Sequence, residues 1–306
     1  MDCALERISR SIILLNFKKS MAKAVKYPRD APFWITFSPA FSWLTFFYFV
    51  PLILLLAYAF MHHDYVRVVH TFTLENFAEI FSNSGYRNTL LRTFRIASLV
   101  TLIDALIALP AAYFIAIHTG RFKNMAMIFL LLPLWSSYLV RIFAWRIILG
   151  YNGVLNSFLT QFHFLKEPTT LFLYNQFSMT LTLCYIWLPF MVLPLVGAFE
   201  RLPKRLVEAA ADLGASGRIT LQRVVFPLIL PGLLAGGLSV FSLTVGDYIT
   251  PLMVGGAGDI LAGNIVASQF GVADNWPLGA AFAAVLLAIL FFLMSFLSKK
   301  GALENL

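Results

Sequence analysis

Charge is scarce in this chain. Only 12% of its 306 residues are Asp, Glu, Lys or Arg, against 59% apolar, where a soluble domain carries about 25% charged residues. That shortage excludes an ordinary water-soluble globular protein. Cysteine is nearly absent: Cys3 lies in the N-terminal segment and Cys184 inside an apolar run, so no disulfide framework exists. No Gly-x-x-x-x-Gly-Lys-Ser/Thr run occurs, which excludes ATP binding through a P-loop. No nucleophile, base and orienting group can be nominated together, so the sequence offers no catalytic residues and no enzyme reading. His62, His63, Asp64 and His70 cluster after the first apolar run but lack ligand spacing. They read as exposed loop residues rather than a metal site. A cleavable signal peptide is not expected either: the run Ile12 to Leu15 is too short for an apolar region of roughly 7–15 residues.

What the chain has is long apolar runs. A hydrocarbon core about 30 Å thick takes roughly 20 helical residues. Six stretches suit it, at about 38–60, 89–117, 125–148, 171–199, 226–250 and 276–298. The runs are continuous rather than alternating, which favours helices over a barrel. The expected class is an all-α membrane protein with six transmembrane helices. It comprises a tail at 1–37, a transmembrane domain at 38–300 and a short tail at 301–306. The net charge of +8 is placed by topology. Arg7, Arg10, Lys18, Lys19, Lys23, Lys26 and Arg29 precede the first run. Arg121, Lys123, Arg201, Lys204, Arg205, Arg218 and Arg223 occupy alternate loops, and Lys299 and Lys300 follow the last run. These sixteen of the 23 basic residues fall on one side, and 251–275 has none. The positive-inside rule then puts both termini in the cytoplasm. The basic excess reports topology and contact with membrane lipid, not nucleic acid.

Between the fourth and fifth runs, Glu208-Ala209-Ala210-Ala211-Asp212-Leu213-Gly214 is short, polar and helix-prone, and Val224-Val225-Phe226-Pro227 follows. Alanine forms helices with little bulk, so a partner can approach the backbone closely. Gly214 permits a turn, and Pro227 suits the first turn of the next helix. The spacing is Glu-Ala-Ala, three residues, Gly, nine residues, an aliphatic, one residue, then apolar-Pro. It resembles the coupling loop (here about 201–226) of type I ABC-importer permeases, with Val224 and Phe226 as mild departures. Further motifs resemble the spermidine/putrescine branch of that family. They are Pro133-Leu134-Trp135, Ser137-Tyr138-Leu139-Val140-Arg141, Ala144-Trp145, Val245 to Pro251 with Gly255-Gly256, Asn264-Ile265-Val266, Gln269-Phe270 and Asn275-Trp276-Pro277-Leu278-Gly279. The likeness covers roughly residues 40–300.

The resemblance implies the type I permease fold in a bacterial inner membrane. It also implies a second permease subunit, two ATP-binding subunits that hold the ATP and Mg, and an extracytoplasmic solute-binding protein. No cofactor is expected in this chain. Coupling to the ATPase would fall to Leu202, Glu208, Ala209, Ala210 and Gly214.

For the substrate path the residue types suggest Asp247, Tyr248, Asp104, Trp135 and Trp276. A polyammonium solute needs negative charge and aromatic faces, although Asp247 could equally be a cap, and Tyr248 and Trp276 interfacial anchors. Asp104 lies mid-span, where a carboxylate faces a partner or a wet cavity. Counted up the helices, it matches Arg141 in depth, so an Asp104–Arg141 ion pair is one expectation and a place on the path is the other. Pro110, Pro133, Pro189, Pro194, Pro227 and Pro231 should kink the spans, and Gly232, Gly236 and Gly237 thin one side of the fifth. The expected function is import of a small, cationic solute such as a polyamine by alternating access. Its rivals are another solute on the same fold (ferric iron, an opine, sulfate or phosphonate) and a proton-coupled secondary transporter using Asp104.

Overall fold

The computed structural model describes residues 33–64 and 67–298. The basic segment 1–32 with Cys3, and residues 299–306 with Lys299 and Lys300, lie outside the described residues, as does the side chain of His70. The chain divides into two compact units, Met1–Leu55 and Leu56–Leu306. The described part of the first, 33–55, is helical and holds most of helix α1, Phe37–Tyr58, an aromatic-rich run in which the Trp43 and Phe47 ring centroids lie 4.2 Å apart.

The second unit begins with an element absent from the sequence reading, an antiparallel hairpin of β1 (Met61–Asp64) and β2 (Arg67–Phe72). The Asn76 amide secures its base by donating to the carbonyls of Ala59 (3.0 Å) and Met61 (2.8 Å). His62 pairs with Glu75 at 2.9 Å, and no group of three metal-ligating side chains occurs among the described residues. Asn76 and Glu75 belong to α2, Glu75–Ser82.

The second span is α3, Ser84–His118, capped where Asn83 Oδ1 accepts from the Gly85 N–H at 2.8 Å. The third departs from the expected single helix over 125–148. Gly120–Trp135 (α4) and Tyr138–Gln161 meet at 91°. Pro133 lies in a tight 3-10 turn, and Ser136 and Ser137 are extended at ψ 151° and 142°, so the helix cannot continue. Beyond the bend, α5 (Tyr138–Leu149) and α6 (Val154–Gln161) follow.

The fourth span, α7 (Gln176–Glu200), starts in a capping box between Asn175 and Ser178. It leads to the short helix α8, Lys204–Asp212. The fifth span, α9, runs unbroken from Gly217 to Gly246 and so begins well before the expected 226. Its regular α-helical part starts at Phe226 with Pro227 in the first turn, as expected, and the span extends back from there. Leu221–Val225 form a wide π turn just ahead, the local adjustment that accommodates a residue lacking an N–H. Two short helices, α10 (Ile249–Val254) and α11 (Ala262–Phe270), precede the last span, α12 (Trp276–Ser298).

The core lies where α3, α7 and α9 meet. Ile96, Val100 and Ala108 of α3 pack with Leu183, Met191 and Leu195 of α7 and Ile229 and Val240 of α9. Glycine sets how close α9 comes. A Cβ added to Gly232 would lie 2.6 Å from Ala198 Cβ, and one added to Gly236 would lie 3.0 Å from the Met191 carbonyl oxygen. Backbone occupies the space a side chain would need. Gly236→Leu should therefore cost about 1–3 kcal/mol or prevent assembly of the bundle. Gly197→Ala, with open space around its Cβ, should leave the detergent-solubilised melting temperature nearly unchanged. Melting followed by size-exclusion chromatography checks both.

Candidate functional site

The fifth span stops at Gly246, and Asp247 starts the next helix. Its backbone is extended, φ −75° and ψ 126°, and its carboxylate caps α10. Oδ1 accepts the N–H groups of Ile249 (2.9 Å) and Thr250 (3.1 Å). Oδ2 accepts the hydroxyls of Thr250 (2.7 Å) and Tyr138 (2.5 Å). Gly263 seats α11 against this break, since an added Cβ there would lie 2.9 Å from the Asp247 carbonyl oxygen. The Asn264 amide donates to the Tyr248 carbonyl at 2.6 Å, and Thr93 of α3 accepts the Ala262 N–H at 2.8 Å.

A cavity of about 290 Å³ opens at the break, lined by Tyr138, Trp187, Ser242, Gly246, Asp247 and Tyr248 among others. Three properties of its wall favour a cation. Asp247 supplies a full negative charge. The C-terminal end of α9, Ser242 to Gly246, meets the cavity there and brings the partial negative charge of a helix C-terminus. Tyr138, Trp187 and Tyr248 supply ring faces for cation–π contact. The groups suit a small organic ammonium ion.

Of the residues expected on the path, the structure brings together Asp247 and Tyr248 and leaves the others elsewhere. Asp247 is 6% exposed, so it is at once cap and cavity wall. Trp135 projects outward at the bend, 82% exposed. Trp276 packs on Tyr58 and Phe270, and its Nε1–H donates to Asp274 at 3.0 Å. Tyr138, Trp187 and Thr250 were missed as site residues. A signal existed for Trp187, because tryptophan prefers the membrane interface and this one lies mid-span.

The Asp104–Arg141 ion pair does not form. Asp104 is fully buried, and neither carboxylate oxygen has a hydrogen-bond partner. The Cys184 thiol, a weak donor, is its polar neighbour. Arg141 instead directs Nη1 to the Ile186 carbonyl at 3.4 Å and sets its guanidinium 5.9 Å from the Tyr138 ring centre. The bend explains the error: matching depths by residue count assumes a straight third span, and α5 leaves α4 at nearly a right angle. Asp104 also lines neither described cavity.

At the other end of the bundle lies α8. Its C-terminus is a Schellman turn: the Ala215 N–H bonds to Ala210 O at 3.0 Å and the Gly214 N–H to Ala211 O at 2.9 Å. Gly214 takes φ +76°, a conformation that costs other residues roughly 1–2 kcal/mol. Leu202 and Val207 pack against the core. Glu208, Ala209, Ala211 and Asp212 are exposed, and Leu213 at the tip is 88% exposed. Ala210 is half-buried on the Val207 side, so Ala209 rather than Ala210 offers the thin outer face.

The family described as "Binding-protein-dependent transport system inner membrane component" matches residues 91–300. The Escherichia coli inner membrane ABC transporter permease protein YdcU is 39% identical over 86% of this chain and 88% of its own length. The spermidine/putrescine transport system permease protein PotB of Haemophilus influenzae is 34% identical over 88% of this chain and 96% of its own. The crystal structure of a bacterial alginate ABC transporter in complex with an alginate pentasaccharide-bound periplasmic protein superposes with TM-score 0.72. It covers 90% of this chain and 96% of that one at 16% identity, a likeness of fold.

An orphaned buried carboxylate gives a definite expectation for Asp104. Asp104→Asn should not destabilise the bundle: it removes the ionisable group but leaves a buried amide no better satisfied, so stability should change by no more than about 1 kcal/mol. Combining it with Arg141→Gln should be additive within about 0.5 kcal/mol. Thermal unfolding of the two single variants and the double variant in detergent checks this, and recovery of stability in the double variant would restore the ion pair.

Proposed function

The chain belongs to the family of binding-protein-dependent transport system inner membrane components, the permeases of ABC importers, and from that premise we propose that its solute is a small polyamine. The observation that carries this reading is the cavity at the break of the fifth span, with one carboxylate, three aromatic rings and the carbonyl end of a helix. Relatives named for spermidine and putrescine transport support it. The proton-coupled rival has no such support, because Asp104 has no exposed surface.

The chain is one permease of a pair. Two ATP-binding subunits carry the ATP and Mg, and a solute-binding protein delivers cargo from outside. Both termini and α8 face the cytoplasm, as the placement of basic residues suggests. The exposed face of α8, with Glu208, Ala209 and Leu213, docks on an ATPase subunit, and Gly214 keeps the helix end in register. Closure of the ATPases tilts α8, and Leu202 and Val207, packed on the core, pass that motion to α7. ATP drives the cycle through its differential affinity for the two states. When the cavity opens outward, the charge of Asp247 and the ring faces of Tyr248 and Trp187 replace part of the ammonium's lost hydration.

Asp247→Asn tests the cargo site cleanly. Asparagine caps helices about as well as aspartate, so folding should be kept while the charge is lost. Uptake of radiolabelled spermidine by the complete transporter should fall about tenfold or more, as expected for a lost charge-assisted contact. Normal uptake would remove Asp247 from the path. Glu208→Lys should leave membrane insertion intact and separate ATP hydrolysis from uptake in proteoliposomes. Unimpaired coupled transport would end the docking assignment.

A further inference from the structure

We propose that Tyr138 is the residue cargo displaces. Its hydroxyl holds the site on Asp247 that an arriving ammonium group takes, so loading the cavity unlatches the third span from the break in the fifth. The inference rests on the polyamine reading and adds to it a specificity-determining residue.

A carboxylate has about four lone-pair sites, and Asp247 fills all four without cargo. The donors are not equivalent. Those of Ile249 and Thr250 belong to the first turn of α10 and move with Asp247. Tyr138 comes from α5, 109 residues away in sequence. It is the first residue of the helix beyond the 91° bend. An ammonium ion that hydrogen-bonds directly to Asp247 must evict one donor: the two backbone N–H groups cannot leave without unwinding α10, and Tyr138, which also meets the Thr250 hydroxyl at 2.9 Å, is the one donor that comes from another element.

The surroundings permit that departure. The Tyr138 ring stacks on Trp187 at 5.7 Å and 20°, so it can slide along an apolar face. Tyr138 and Trp187 both line the cavity, and a departing ring uncovers the Trp187 face for cation–π contact with the cargo. Arg141, one turn along α5, has its guanidinium beside the same ring.

The test uses the complete transporter in nanodiscs without nucleotide. Direct binding of radiolabelled spermidine is measured for wild type, Tyr138→Phe, Asp247→Asn and the double variant. Because phenylalanine cannot compete for Asp247, Tyr138→Phe should bind spermidine more tightly by up to roughly tenfold, the share of one charge-assisted hydrogen bond. A purely structural tyrosine would weaken binding on removal. The double variant should match Asp247→Asn alone, since the hydroxyl acts through that carboxylate. In wild type, spermidine should change the Trp187 emission, identified by difference from Trp187→Phe. This measurement stands even if Tyr138→Phe fails to assemble. Wild type that binds spermidine while Trp187 emission stays constant, or Tyr138→Phe with unchanged or weaker binding, overturns the latch and leaves the cargo reading intact. Wild type that binds no spermidine overturns both.

Discussion

Backbone polar groups in a bilayer have no water to fall back on, and this requirement organises the molecule. A span can be interrupted only where protein groups take over the freed N–H and C=O. The fifth span is interrupted at Asp247, whose carboxylate accepts the first free N–H groups of the next helix. Thr93 accepts the Ala262 N–H at the start of α11, and Asn264 donates to the carbonyl of Tyr248. The groups that satisfy the interruption also leave a carboxylate and the C-terminal end of α9 at a cavity. Charge at this depth is explained by backbone satisfaction before any ligand is invoked.

The second constraint is the close seam between α7 and α9. Trp187, Met191, Pro194, Ala198 and Arg201 recur at intervals of three and four along α7, and Gly232, Gly236, Leu243 and Gly246 at intervals of four, seven and three along α9, so each set forms one stripe. Where glycine meets Met191 and Ala198, the backbones touch. Above that contact the seam opens into the cavity at Asp247. Below it lies a second cavity of about 610 Å³, lined by Pro194, Arg201, Pro203, Pro227, Pro231 and Gly232 among others. The prolines cluster where the helices part.

Much of this was legible in the residues. Apolar length gave five of the spans to within a few residues at most ends, and the Glu208–Gly214 pattern marked a short helix and a turn that the Gly214 backbone bears out. Asp247 and Tyr248 were legible as residue types near the end of a span, and they do share a cavity. What was not legible were events of direction. Pro133 signalled a kink, but nothing local to Ser136-Ser137 specified a bend of 91°, because tertiary contacts decide how far a broken helix turns. The fifth span reached back to Gly217 because a π turn absorbed Pro227, an adjustment that propensity does not encode. The hairpin was hidden by its brevity.

The same bend keeps Asp104 and Arg141 apart. Asp104 sits beside Cys184 of α7, and Arg141 reaches the carbonyl of Ile186 two residues further on. The bent third span swings Arg141 over Tyr138 at the Asp247 break. The bend therefore trades an internal ion pair for a site in which an arginine, a tyrosine hydroxyl and a carboxylate lie in sequence toward a cavity. The cost is an unpartnered carboxylate in the core, which typically amounts to about 1–3 kcal/mol or more. A bundle that tolerates such a cost is held by packing elsewhere, along the glycine seam between α7 and α9.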